Sequence, residues 1–215
     1  MNKPILVIGG GGHAAVLVEI LRQTDQDIIG IVAPEIDSRR TILDGIRHFQ
    51  DDTEILQFSP TSVCLVNAIG SLPGNSTRED VYNKFVGMGY RFARVIAPSS
   101  IVSKHADLEQ GVQIFPGAIV QCGAKIGRNT IVNSGAIVEH DCVIGSHNHL
   151  APGSILSGAV STGDSVHIGT GAVVIQSIAV GHGATVGAGV TLNKDIPGGA
   201  TAFGFRFVLK TEEDT

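Results

Sequence analysis

Apolar residues recur along this chain with two different periods, and the change falls near residue 96. In the first part, wholly apolar runs alternate with stretches of helical spacing. PILVIG (4–9) predicts a short strand that runs into four glycines, Gly9, Gly10, Gly11 and Gly12. Val16, Leu17, Ile20 and Leu21 then recur at the spacing of one helical face, which predicts a helix over 13–23. DIIGIV (27–32) and SVCLVNAIG (62–70) predict two further strands, and REDVYNKFVGMG (78–89) a second helix burying Val81, Phe85 and Met88. Strands that are apolar throughout and separated by helices indicate a parallel sheet covered on both faces. Residues 1–95 therefore read as a small Rossmann-like α/β domain.

From Pro98 onward the period is six. Every sixth residue from Val102 to Leu192 is aliphatic except Thr162, over sixteen positions without an insertion. Two places earlier the residues are small or aliphatic, and three places earlier glycine keeps returning, as at Gly111, Gly117, Gly123 and Gly135. A helix cannot use this period and a lone strand uses two. A three-faced solenoid can: each hexad makes one short strand and one turn, and three hexads complete an 18-residue coil. The aliphatic residue points inward, and glycine supplies turn dihedrals that other residues reach only with strain. The expected architecture is a mixed fold, the α/β domain followed over 96–198 by a parallel β-helix, with 199–215 as a C-terminal cap and tail. Phe203, Phe205 and Phe207 are expected to cover the last coil.

Charge and cysteine content narrow the setting. The net charge is -5, and 98–197 carry four Lys or Arg against six Asp or Glu, so no basic stripe recruits nucleic acid. No apolar run approaches the ~20 residues of a membrane-spanning helix. Three cysteines, Cys64, Cys122 and Cys142, are few and lie in apolar runs, which favours a reduced, cytoplasmic setting. Inside the repeat, GAIVEHDCVIGSHNHLAPG (135–153) concentrates three of the eight histidines. None of them falls on the inward column, so all project outside the prism core. Imidazole titrates near neutrality and can serve as a general base.

The hexads, taken together with GGGGHA, NAIG, IAPSSIVS, EHDCVIG and VTLNKDIP, resemble nearly end to end one branch of the hexapeptide-repeat acyltransferases. These are the bacterial sugar acyltransferases of the sialic acid O-acetyltransferase and nucleotide-4-aminosugar N-acetyltransferase type. The resemblance implies a left-handed β-helix and transfer of an acetyl group from acetyl-CoA to the 4-amino group of a nucleotide-linked 4-amino-dideoxysugar. By the same resemblance His140 is the general base, Asp141 its orienting carboxylate, and His149 a second histidine near the thioester. Gly158 lends a backbone N–H to the thioester carbonyl. Gly169, Gly171, Gly187 and Ala188 are expected along the pantetheine arm, and Phe203, Phe205 and Phe207 have a place near the coenzyme adenine as the alternative to capping the coil. The glycine loop Gly9–Gly12 with His13 is expected to hold a diphosphate, and Asn67 and Ser71 to contact the sugar nucleotide. Ala33-Pro34 stands where many relatives have two acids after the second strand, which leaves UDP, TDP and GDP open.

Other readings fit parts of the pattern. O-acetylation of a sialic acid or related sugar would use the same base on a hydroxyl. Histidines 140, 147, 149 and 167 could suggest zinc, as in the trimeric β-helix carbonic anhydrases, but those lack an N-terminal glycine-loop domain, so no metal is expected. The glycine loop, with Glu35 or Asp37 further on, partly meets a dinucleotide fingerprint, yet 95 residues supply only one mononucleotide half. A nucleotide-sensing protein without turnover is the non-enzymatic alternative. Flat-sided prisms and outward histidines point to a homotrimer with active sites between subunits.

Overall fold

The structure, a computed structural model, describes residues 3–204. Strands β1 (Ile5–Ile8), β2 (Ile28–Val32), β3 (His48–Phe49) and β4 (Cys64–Asn67) form a parallel sheet in the order β3-β2-β1-β4. The apolar pattern does not foretell β3, which is two residues long and half polar. Helix α1 (Gly12–Gln23) buries Leu17, Ile20 and Leu21 of the face expected from the spacing together with Ala14 and Val18, while Val16 is half-buried. Helix α2 (Thr77–Gly87) turns differently from expectation. It buries Arg78, Tyr82 and Phe85, while Val81 is half-buried and Met88 lies beyond the helix, 47% exposed. The reason is tertiary: Tyr82 stacks on Phe92 at 4.5 Å and meets the edge of His147 at 5.3 Å, so α2 faces the solenoid.

The second part is a left-handed parallel β-helix with three faces. Strands pair at 18-residue steps, as in Ile137↔Ile155 and His149↔His167. The seven-stranded face runs from Val95–Ile96 to Thr201–Ala202, the six-stranded face from Ile101–Val102 to Thr191–Leu192, and the five-stranded face from Asp107–Leu108 to Ala179–Val180. Of the inward column Leu108 to Leu192 is buried, and Val102 packs against it at the open end. Thr162 is tolerated because its hydroxyl accepts from Gly145 N at 3.1 Å and from the buried Asn148 side chain.

The glycine column maps onto left-handed backbone, for example Gly117 at φ 71° and Gly135 at φ 64°. Asn129, Asp141, His147, Ala159, Ser165 and Ser177 stand in that column too and keep the same conformation, Asp141 at φ 61° and His147 at φ 59°. A side chain held there despite its conformational cost marks a position to inspect for function.

The two parts share a core. Phe115 and Ile131, which face outward from the seven-stranded face, pack in one cluster with Val7, Leu17 and Val95. We call this the docked face, because the α/β domain covers it. The six-stranded face presents outward Ile101, Ile119, Ile137, Ile155 and Val173, one above another, and we call it the ladder face. At the last coil Ile196 and Ala202 pack against the core, whereas Phe203 is 82% exposed. Phe205 and Phe207 lie outside the described residues. Among the described residues no helix is long and apolar enough to cross a membrane.

Candidate functional site

The loop after β1 lies where ligands reach an open parallel sheet, because β1 sits between β2 and β4 and the strand order reverses beside it. Its glycines have different reasons to be glycine. A Cβ on Gly9 would come within 2.6 Å of Ala68 O, and one on Gly10 within 2.5 Å of Glu35 O, so both are demanded by packing. Gly11 faces open space and caps α1 without a side-chain hydrogen bond, at φ -98°. The first N–H groups of α1 therefore point outward with the positive end of the helix dipole, an arrangement that suits an anion. The Arg40 guanidinium lies over Gly12, where a Cβ would stand 3.1 Å from it. Nothing in the sequence singles out Arg40, which sits in a polar loop.

His140 occupies the corner between the ladder face and the five-stranded face. Its Nδ1 pairs with Asp141 Oδ2 at 2.8 Å, with both side chains exposed. That hydrogen bond, followed by the charges of Asp141 and Glu139, raises the imidazole pKa above its ordinary 6.5. The left-handed backbone at Asp141 is what turns its carboxylate toward the neighbouring ring. One coil above, a Cβ on Gly158 would fall 2.7 Å from both Cε1 and Nε2 of His140. Glycine at 158 thus leaves the space the ring fills, and the Gly158 N–H has no protein acceptor among the described residues. With Nδ1 committed to Asp141, Nε2 is the nitrogen left to exchange a proton. Cys142, two residues on, is buried and donates to Ser157 O at 3.2 Å, and burial pushes its thiol pKa up.

Residues 4–85 match the PglD N-terminal domain, and residues 123–158 match the bacterial transferase hexapeptide of six repeats. PerB from Caulobacter crescentus, solved in complex with CoA and GDP-perosamine, is 33% identical, with a TM-score of 0.83 over 94% of each chain. The acetyltransferase domain of PglB from Neisseria gonorrhoeae FA1090, in complex with acetyl coenzyme A, is 30% identical, with a TM-score of 0.85 over 94% of this chain and 96% of that one. The chain belongs to the bacterial sugar acyltransferase family. WeeI from Acinetobacter baumannii AYE, 24% identical with a TM-score of 0.79 over 94% of this chain and 97% of that one, shares the fold. No curated protein sequence matches the chain significantly.

As a member of this family the chain keeps its candidate residues in two separate places. His140, Asp141 and Gly158 share one corner of the prism. His13, Asn67, Ser71 and His149 lie on or beside the docked face, which is opposite that corner. His149 Nδ1 donates to Ser71 O at 3.1 Å and its Nε2 accepts from Asn133 at 3.0 Å, so both ring nitrogens are occupied. Burial, then the charge of His167, lowers its pKa to about 4. His13 stacks on Phe115 at 5.0 Å and bonds Gln113 at 2.9 Å, and burial brings its pKa down to about 3. Asn67 is buried, donates to Arg78 O at 2.8 Å and to Asn129 Oδ1 of the solenoid at 3.3 Å, and accepts from Ile69 N, so its amide serves the seam between domains. Asp37 pairs with Arg39 and Arg40 near the glycine loop.

Sequence reasoning missed Gln113 and Arg78. Gln113 projects outward in its hexad and so reads as exposed, yet it is buried and bridges His13 to Asn67 O. Arg78 reads as a surface cation on α2 but is buried, bonding Asn67 O and Ile69 O at 2.7 Å each. A pocket of about 360 Å³ opens between the 71–76 loop and His147, His167 and His182. Gly169 and Gly187 are held by coil-to-coil packing, since a Cβ would stand 2.5 Å from Ala188 N and 3.0 Å from Ala202 O respectively, while Gly171 faces open space. Among the described residues no group of three or more His, Cys, Asp or Glu side chains is arranged to hold a metal ion.

The buried histidines make the seam acid-labile. His13 and His149 are neutral when folded and have an ordinary pKa of 6.5 when unfolded. Between pH 6.5 and about 4 the unfolded chain binds more protons, so stability present above 6.5 is lost as pH falls. The expected loss is about 1.4 kcal/mol per pH unit for each ring. Urea unfolding at pH 7, 6 and 5 measures it, and His149→Gln should flatten the slope.

Proposed function

We propose that the protein transfers an acetyl group from acetyl-CoA to the 4-amino group of a nucleotide-linked 4-amino-dideoxysugar. The observation that carries this reading is the His140–Asp141 pair, with Nε2 open above Gly158. The amine nitrogen attacks the thioester carbonyl carbon while Nε2 takes its proton. Asp141 holds the ring and steadies the imidazolium, and the Gly158 N–H meets the negative charge that develops on the carbonyl oxygen. The C–S bond then breaks, and the imidazolium returns the proton to the departing thiolate. Residues 1–95 hold the sugar nucleotide, 96–198 the transfer site, and 199–215 the end of the solenoid. His149 acts in this reading by fixing Ser71 and the 71–76 loop against the solenoid, and Gly171 and Ala188 border the pantetheine arm.

The active form is proposed to be a homotrimer whose sites lie between subunits. Two observations support it. The nucleotide loop and His140 lie on opposite sides of one prism, so one chain cannot bring them together. The ladder face offers an apolar surface that no described element of the chain covers, and three such faces around one axis form a closed assembly. The His140 corner of one chain then meets the neighbour's docked-face edge.

Thiol release from acetyl-CoA, assayed with UDP-, TDP- and GDP-linked 4-aminosugars, tests the reading. PerB was solved with GDP-perosamine, so a GDP-linked sugar heads the panel. An acetylated hydroxyl in the product, or turnover with none of the amines, overturns it.

Gly11→Val separates the two substrates. Its Cβ meets nothing within 4 Å, so the variant should fold normally. The branched side chain blocks the approach of a diphosphate to the α1 N-terminus and should raise the sugar-nucleotide KM roughly tenfold or more, with the acetyl-CoA KM little changed. Saturation curves for both substrates measure this, and a shift confined to acetyl-CoA would assign the loop another ligand.

A further inference from the structure

The proposed acetyl transfer, on which this inference rests, needs the sugar nucleotide held between two walls. The loops that follow β1 and β4 form them, because the strand order reverses between those neighbours. One side chain of the solenoid is tied to both walls. Gln113 projects outward from the docked face and is 1% exposed. Its Nε2 donates to Asn67 O, at the end of β4, at 2.7 Å. Its Oε1 lies 2.9 Å from Nε2 of His13, in the first turn of α1 directly after the glycine loop. The wall after β4 has a second tie in the buried Arg78. That guanidinium donates to Asn67 O and Ile69 O at 2.7 Å each, and to Asn129 O of the solenoid at 3.3 Å.

These partners leave the Gln113 amide one orientation. A carbonyl oxygen only accepts, so the NH2 must face Asn67 O, which turns Oε1 toward His13. An amide oxygen also only accepts, so the hydrogen between the two side chains belongs to His13 Nε2, and Nδ1 is the acceptor nitrogen. The ring is held in that form. Phe115 stacks on it at 5.0 Å, and burial, then the charge of Arg78, keeps it neutral with a pKa of about 3. A neutral imidazole brings no positive charge to a diphosphate, which leaves that part to the N–H groups of α1. We infer that Gln113 is a positioning residue for the acceptor substrate. From the solenoid it sets the distance between the two walls and fixes His13 in the Nε2–H tautomer. The transfer site and the nucleotide crevice of one chain are thereby held to a single rigid reference, the docked face.

Nitrogen-15 shifts of the His13 ring and paired saturation curves test this. In the parent at pH 7, Nε2 should carry the hydrogen and Nδ1 should be bare. Gln113→Leu removes both bonds but leaves Asn67 O its bond from Arg78, so the variant should fold. Its His13 shifts should move toward those of a free imidazole. The sugar-nucleotide KM should rise roughly tenfold, with the acetyl-CoA KM within twofold of the parent. Thr162→Val, which breaks buried hydrogen bonds on the five-stranded face, is the control for lost stability and should move neither readout. A parent His13 protonated at Nδ1 overturns the inference without any variant. So does a sugar-nucleotide KM within twofold of the parent in Gln113→Leu, or an equal rise in both KM values, which would mean general loosening of the seam. If the parent turns over none of the aminosugar nucleotides, the acetyl-transfer reading falls by itself. The ring shifts and the calorimetric affinity for GDP in parent and Gln113→Leu then decide on Gln113, and equal affinities overturn it.

Discussion

Replacing His140 with alanine is expected to lower the acetyl-transfer rate about 10²–10⁴-fold while leaving both substrates bound, because a positioned base acts only as the proton moves. The side chain is exposed at a corner and packs in no core, so the variant should unfold at the parent temperature. In the parent, kcat/KM should rise with pH through a pKa above the ordinary imidazole value, because the Asp141 hydrogen bond stabilises the protonated ring. Base function requires the neutral ring, so activity is lost as pH falls through that raised value. Asp141→Asn should bring the ascending limb back toward ordinary imidazole and slow turnover, since the ring loses its orienting carboxylate. The pH profile of kcat/KM in parent and variant checks the direction. Turnover of His140→Ala within threefold of the parent at pH 7 would remove His140 from the reaction.

Ile137→Asp is expected to break the assembly and abolish transfer together. Ile137 is central in the ladder between Ile119 and Ile155, and its side chain points away from the prism core. A carboxylate there should leave the single chain folded, yet it would be buried without a partner wherever ladder faces meet. Light scattering should fall from about three times the 22.3 kDa chain mass to a single chain. Turnover should fall by about 10² or more, because His140 would lose the wall that positions the thioester and acceptor against it. Acetyl transfer at the parent rate by a monomer would end the inter-subunit arrangement. Lys125→Asp, at an outward position of the five-stranded face, is the matched control and should leave mass and rate unchanged.

The sequence by itself determined the solenoid, because a hexad period ties one identity, aliphatic, to one direction, inward. A single column therefore fixed every coil, and the unbroken register stacked Gly158 over His140 before any coordinates. The left-handed turn at Asp141 was also readable, since Asp stands where the column otherwise asks for glycine. The first strand, α1 and the glycine loop were legible for a similar reason: apolar runs and glycines report local backbone needs.

The tertiary structure alone decided what covers each outward position. Outward means exposed only until another element docks, so Gln113 and Ile131 became buried and His149 gave both its nitrogens to hydrogen bonds within the chain. The buried side of α2 moved to Arg78 and Tyr82 because the partner surface, the corner at Asn129 and His147, is 51 residues or more away in sequence. Such contacts leave no periodic trace. The separation of His140 from the glycine loop is of the same kind: both motifs are local and readable, but their placement on opposite sides of the prism follows from which face the α/β domain covers.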